Sequence, residues 1–409
     1  VIETENFGNM YDANSNMLQT PFLPFAYRHP SLNPFCDVAK TPIGAPAPLG
    51  KNRKACVPNG KTDTFESPQT TARAIRWDLL KAVATLLPKS RTAICRRRMI
   101  PKRSHVAVYR SHDNGSTFYG GLQICGSVWS CPPCSSKIST KRAIEVKTMM
   151  DIWKSRGGKI LMVTFTFPHH FGQRLHLLYK KFSAARRKQF FNSKTWRNWK
   201  KSIGFHHSIE ALEVNEGENG WHIHLHFMIF YMLGSDTKEP LASDLLPAWQ
   251  SACIAEGLGR PNEHGLVISD AEEAGSYISK WGMELELTKS CIKRGRDGNR
   301  TPWDLLRDFM ETGNVRSGEL FKEYANVFKG KEQLHCSRRL RKDLGLGSEK
   351  TDQQLVEENI QRAERLGSFR WDEWQLILKH CAEGWVLEIA KYGGWEAVEK
   401  FMDSLIRAG

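Results

Sequence analysis

The chain has 409 residues, 40% hydrophobic and 25% charged, with a net charge of +15 and a pI near 9.3. No apolar run approaches the roughly 18 to 20 residues of a bilayer helix and no signal peptide opens the sequence, which excludes a helical membrane protein and points to the cytoplasm. The excess of cations concentrates phosphate at the surface and favours a nucleic-acid partner.

Residues 1–72 are rich in Pro, Asn, Ser and Thr (PFLPFAYRHPSLNPF, GAPAPLGKNRK) and lack sustained periodicity, so they read as a flexible leader. The first residue is not Met, and the numbering is expected to begin inside a longer product. A helical pattern covers 71–87, and a second covers 137–156 until Gly157 and Gly158 stop it. KILMVTFTF, 159–167, is β-branched and aromatic, which signals a strand. Two further strands, 206–215 and 220–232, flank EGENG and predict an antiparallel hairpin. A helix over 241–256, a short strand over 265–269 and a helix over 270–281 follow, and the tail after Pro302 is expected to be mostly helical. Strands separated by helices, with a hairpin among them, predict an α+β fold on a mainly antiparallel sheet. The expected division is a leader at 1–72, a cysteine-bearing region at 73–140, a central α+β domain at 141–300 and a helical region at 301–409.

Between Tyr179 and Ile203 the sequence holds nine Lys and Arg and no acid. Arg186, Arg187, Lys188, Arg197, Lys200 and Lys201 are the candidate phosphate contacts. Phe182, Phe190, Phe191, Trp196 and Trp199 are interleaved among them. The segment is either a basic helix along a DNA backbone or a solvated helix face over an aromatic core stripe.

GWHIHLH, 220–226, alternates polar and apolar residues without a break. On a strand, successive side chains point to opposite faces, so Trp221, Ile223, Leu225 and Phe227 pack inward while His222, His224 and His226 line the other face. Neutral imidazoles spaced in this way converge on a transition metal. Glu213, on the paired strand, is the candidate carboxylate ligand, with Glu210 and Glu216 as competitors. A His, His and carboxylate site with open positions suits Mn²⁺ or Mg²⁺ acting on a phosphodiester.

Cys131-Pro-Pro-Cys134 has the spacing of a zinc knuckle, with Cys125 upstream. Cys95 is the candidate fourth ligand, and His105 and His112 are alternatives. In AEEAGSYISKWG, Glu273 and Lys280 lie at i−4 and i+3 from Tyr277 and so share its helical face. Tyr277 is the candidate nucleophile. Lys280 or a cation would stabilise its phenolate, and Glu273 would accept a proton. The alternative is an ordinary amphipathic helix in which Tyr277 packs and Glu273 and Lys280 are solvated.

MVTFTFPHH (162–170), LEVNEGENGWHIHLHFMIF (212–230), AGSYISKWGMELE (274–286) and CGSVWSCPPCSSKI (125–138) together resemble the motifs of rolling-circle plasmid replication initiators, in the single-tyrosine group of the HUH endonuclease superfamily. TPWDLL and KGKEQLHCSRRLRKDLGL extend the likeness, which covers roughly residues 90 to 400. It implies a central antiparallel sheet flanked by helices, with the nuclease domain at 141–300. His224 and His226 would be the HUH pair, Glu213 their third ligand, and His222 a further ligand or a DNA contact. Tyr277 would form a 5′-phosphotyrosine and free a 3′-OH. Lys280 would be the motif lysine, and Glu273 would activate the water that ends the round. Catalytic Mn²⁺ or Mg²⁺, structural Zn²⁺ on the cysteines, single-stranded and origin DNA, and a host helicase and polymerase complete the expectation. A transposase or helitron-like nuclease and a non-catalytic DNA-binding repressor are the rival readings.

Overall fold

The computed structural model describes residues 68–270 and 299–408. Helix α1 (Pro68–Leu86) precedes two short strands, β1 (His105–Ser111) and β2 (Thr117–Gly120), and then α2 (Pro132–Ser155). Strand β3 (Lys159–Phe165), α3 (Leu175–Ala184), a π-helical turn (Ala185–Phe190) and α4 (Lys194–Ser202) lead to the hairpin β4 (Phe205–Gly217) and β5 (Gly220–Tyr231). Helix α5 (Leu246–Ala255) and β6 (Leu266–Ser269) follow. Beyond residue 298 come α6 (Pro302–Thr312), α7 (Val315–Phe328), β7 (Leu334–Cys336), α8 (Leu340–Asp343), α9 (Asp352–Val356), β8 (Ala363–Arg370), α10 (Trp371–Lys379) and α11 (Glu383–Ala408). The fold is α+β with antiparallel sheets, and no described helix is long and apolar enough to cross a membrane.

The central sheet has the order β6-β3-β5-β4-β7, antiparallel throughout. Its two faces are set by strand parity. On one side, Trp221, Ile223, Leu225, Phe227 and Ile229 of β5 join Val163 and Phe165 of β3 in the main core. An aromatic layer covers them: Phe165 meets Phe190 and Trp249 edge-on, at 5.2 Å each, and Phe191 and Trp196 pack on Phe227. On the other side, Ile160, Met162, Ile209, Met228 and Phe230 pack under Met149, Met150 and Trp153 of α2. Helix α2 therefore covers only the Met228 and Phe230 end of its face of β5.

Helix α2 starts five residues before the sequence pattern suggests. Cys131 is its N-cap and Pro132 occupies the first turn, where the missing N–H costs nothing. Helix α5 starts later than expected, at Leu246, after a separate 3₁₀ turn at Ala242–Asp244.

The tail holds two strands, β7 and β8, as well as helices. Strand β8 pairs with β1 to give a second sheet, β2-β1-β8. As an edge strand β8 buries only Phe369, so AERLGSFR carries little apolar alternation to mark it. Helices α1, α10 and α11 close over this sheet. Tyr119 packs edge-on against Trp77 and Trp374 and donates to the Glu383 carbonyl at 2.8 Å, while Arg73 pairs with Glu388 at 2.9 Å.

Phe230 is fully buried and meets Trp153 edge-on at 6.0 Å. Phe230→Ala removes the ring that docks α2 on the central sheet and should cost about 3–5 kcal/mol. Chemical denaturation checks this; a loss below about 1 kcal/mol would show that the α2 seam does not hold the sheet.

Candidate functional site

The β4–β5 register puts Glu213 directly opposite His224, Ala211 opposite His226 and Asn215 opposite His222. Glu210 and Glu216 instead oppose Phe227 and Trp221, on the other face. Each is occupied there. Glu210 pairs with Arg186 at 2.9 Å, and the buried Glu216 accepts two bonds from Arg300, at 2.7 and 3.0 Å. Cross-strand partners share a face, so the register brings only Glu213 of the three to the histidines.

The ligand atoms of Glu213, His224 and His226 all lie within 4.8 Å of one another. His226 Nε2 is 3.1 Å from Glu213 Oε2, and Asn215 donates to Glu213 Oε1 at 2.9 Å. Strand β3 and the residue just after it supply the outer contacts. Thr164 Oγ1 lies 3.2 Å from His226 Nδ1, and Thr166 Oγ1 lies 2.7 Å from His222 Nε2. Such contacts fix ring orientation and tautomer. His222 Nε2 is also 2.8 Å from His224 Nε2, but His222 is not in the three-residue group. The ring of His169 sits 4.4 Å from that of His222.

The electrostatics suit cation binding. Burial lowers His224 to about 4, with His226 and His169 adding to the effect and Glu213 opposing it. Burial also lowers His222 to about 3, reinforced by His224 and His169. For Glu213, burial alone would raise the carboxyl. The hydrogen bond from His226, the charges of His226 and His224, and the Asn215 amide outweigh it and hold the group at about 2. A neutral imidazole at His224 and an ionised carboxylate are the forms that ligate a metal.

The hairpin turn is fitted to this geometry. Gly220 has φ +81°, and a Cβ there would lie 3.1 Å from the His170 carbonyl oxygen. His169 Nδ1 lies 2.9 Å from the Asn219 carbonyl, so the stretch after β3 wraps the turn. Thr164, Thr166 and Asn215 were not singled out from the sequence. In VTFTF the threonines alternate with Val163 and Phe165, and this period-two pattern, the same as in HIHLH, is the sequence signal that marks them.

The second cluster is the cysteine group. Sγ of Cys95 lies 3.6 Å from those of Cys131 and Cys134, and Cys125 Sγ lies 3.8 Å from Cys134 Sγ. Disulfide sulfurs sit about 2.05 Å apart. Four sulfurs at about 2.3 Å from a tetrahedral zinc lie about 3.8 Å from one another. The group therefore fits a metal ion such as zinc. Backbone N–H groups of Cys125 and Ser127 donate to Cys95 and Cys125 sulfur, contacts that would stabilise thiolate ligands of a bound cation. Thiol bonds from Cys125, Cys131 and Cys95 hold Cys134 well below the ordinary thiol range, with Arg96 adding to the effect, while burial pushes Cys131 well above it. One thiolate is favoured without a cation, and a divalent ion would supply the charge to ionise the rest. His105 and His112, the alternatives for the fourth position, lie in or next to β1, outside this group.

The aromatic members of the basic segment are core: Phe182, Phe190, Trp196 and Trp199 are buried. Arg187, Lys188, Arg197 and Lys201 are exposed, and Lys200 is half-buried over the rings of Trp196 and Phe205. Arg186 is buried and committed to Glu210. Tyr277, Glu273 and Lys280 lie outside the described residues.

The chain is 25% identical over 309 residues to the Protein rep of Streptomyces lividans, a match that covers 58% of this chain and 67% of that protein. No family model matches the chain, and no solved structure matches it significantly.

Protein purified without chelators should carry one tightly held zinc per chain by elemental analysis. Cys134→Ser should lose it and lower the melting temperature. Full zinc occupancy in that variant would contradict the four-sulfur site.

Proposed function

We propose that this chain initiates plasmid replication by nicking one DNA strand and rejoining it through a tyrosine, using an HUH-type site on Glu213, His224 and His226. The observation that carries this reading is the convergence of one carboxylate and two imidazoles on an antiparallel sheet, with their ligand atoms within 4.8 Å. The similarity to a Protein rep supports replication as the setting. An excess of cations, +15 overall, suits a DNA substrate.

A divalent cation held there, Mn²⁺ or Mg²⁺, would neutralise charge that grows on a phosphate oxygen. Thr164 orients the His226 ring. Glu213 and the imidazoles supply the ligands. His222, outside the three-residue group, is assigned to positioning the strand.

Tyr277 is assigned the nucleophile role. Its phenolic oxygen forms a bond to phosphorus while the bond to the 3′-oxygen breaks, leaving a 5′-phosphotyrosine and a 3′-OH. The phenol proton passes to a base, and the leaving oxygen takes up a proton. Lys280 is assigned to stabilising the phenolate, and Glu273 to deprotonating the water that later ends the round. Because the phosphotyrosine conserves the bond energy, rejoining needs no nucleotide cofactor. The exposed cations Arg187, Lys188, Arg197 and Lys201 are assigned to the DNA backbone, and Arg186 to holding Glu210. A host helicase would unwind the duplex and a polymerase would extend the freed 3′-OH.

Single-stranded origin oligonucleotides with Mn²⁺ should yield a covalent protein–DNA adduct. Tyr277→Phe should abolish it. Glu213→Gln should reduce its rate by at least the roughly 10- to 100-fold that loss of a mere outer contact costs a metal site. An adduct that survives Tyr277→Phe would show that another residue attacks the phosphate.

A further inference from the structure

Between Asp78 and Asp113 the sequence contains no acid, but it holds Lys81, Lys89, Arg91, Arg96, Arg97, Arg98, Lys102, Arg103 and Arg110. Four of these cations stand on one loop, 97–103, between Cys95 and β1. Arg98, Lys102 and Arg103 are exposed and Arg97 is half-buried. Among the described residues none of the four has a carboxylate partner. Asp372 and Glu373, which open α10, are engaged by Arg370.

The base of the loop is fixed from both sides. Cys95 belongs to the four-sulfur group, and Arg96 is buried beside Cys134 with φ +54°. Arg96 N–H donates to the Gln123 carbonyl at 2.7 Å, Gln123 N–H to the Arg98 carbonyl at 2.9 Å and Ile100 N–H to the Gly121 carbonyl at 2.9 Å. Trp374 Nε1 donates to the Arg97 carbonyl at 2.9 Å. Lys102 is a second non-glycine residue at positive φ, +70°, a conformation kept only where the surroundings impose it. The unpaired cations are thus held out on a braced loop, which spares the ordering cost of binding.

We propose that the loop 97–103 is a second DNA-binding surface, one that takes the phosphate backbone of duplex DNA. Unpaired exposed cations gain most from a polyanion, because they release its counterions without first breaking an ion pair. The loop, RRMIPKR, contains no aromatic residue on which a base could stack, so it suits the backbone of a duplex and not an unstacked single strand. It extends from the β2-β1-β8 sheet, whereas Glu213, His224 and His226 stand on the central sheet. The inference rests on the reading that the chain acts on DNA, and it adds a grip on the duplex beside the nicked strand.

The test uses the full chain with its zinc and the triple variant Arg98→Gln, Lys102→Gln, Arg103→Gln. Fluorescence anisotropy across a salt series measures binding to a mixed-sequence duplex oligonucleotide and to a single strand of the same length. The slope of log K against log salt for the duplex should fall by about 2.7 in magnitude, about 0.9 for each of three phosphates. Single-strand affinity and adduct formation should be unchanged. If zinc content or melting temperature differs, the charge-keeping variant Arg98→Lys, Lys102→Arg, Arg103→Lys should restore the duplex slope. An unchanged duplex slope, an equal loss for both strands, or preference for duplex RNA would overturn the proposal. Failure of the wild-type chain to form an adduct would count against the nicking function alone, since the duplex slope is read without cleavage.

Discussion

Successive side chains of β5 point to opposite faces, and the candidate site depends on that alternation. One face, Trp221 to Ile229, is apolar and buried under the aromatic layer of α4, α5 and the π-helical turn. The other face changes character along its length. Met228 and Phe230 are apolar and dock α2, while His222, His224 and His226 continue the same row beyond the helix. A register slip of one residue would bury the imidazoles in the core and expose the aromatic row. Packing of the apolar residues therefore aims the histidines, and the stability of the sheet and the geometry of the site are one constraint.

The same economy appears at the carboxylates. Three glutamates on β4 have different tasks because parity divides them. Glu213 faces the imidazoles, Glu210 neutralises a buried arginine, and Glu216 holds Arg300 where the chain returns to the central sheet. Glu216 and Arg300 also exchange backbone bonds at 2.8 and 2.6 Å, which ties residues 299–300 to the hairpin. The cysteine group plays a comparable role for the second sheet. It sits at the start of α2, next to the strand region that α1, α10 and α11 enclose.

Much of this was legible in the sequence because period-two and period-3.6 patterns survive wherever one face is buried. The strands over 159–167, 206–215 and 220–232 were marked by such patterns, and Gly157-Gly158 and EGENG marked the breaks. Strands β1, β2, β7 and β8 were not recognised. Strands β2 and β7 are only four and three residues long, and β8 is an edge strand with one buried residue. Strand β1, although central, buries Val106, Ala107 and Val108 in a row without alternation, so local pattern is weak and long-range pairing decides their state. The choice of Glu213 over Glu210 and Glu216 needs the exact turn position, which EGENG alone does not give: a two-residue turn at Glu218-Asn219 makes positions summing to 437 pair, which sets 213 against 224. The basic segment mixed two readings because it serves two purposes. Its aromatic residues are core, most of its cations are solvated, and Arg186 went inward to a partner that only the tertiary fold supplies.

The central claim, that Glu213, His224 and His226 hold a divalent cation, is tested most directly by crystals soaked in Mn²⁺ and measured for anomalous scattering. The account predicts a peak bonded to one oxygen of Glu213 and one nitrogen each of His224 and His226, with His222 turned to Thr166. A peak bonded to His222 and His169 without Glu213, or no peak at the hairpin in an otherwise ordered crystal, would contradict it.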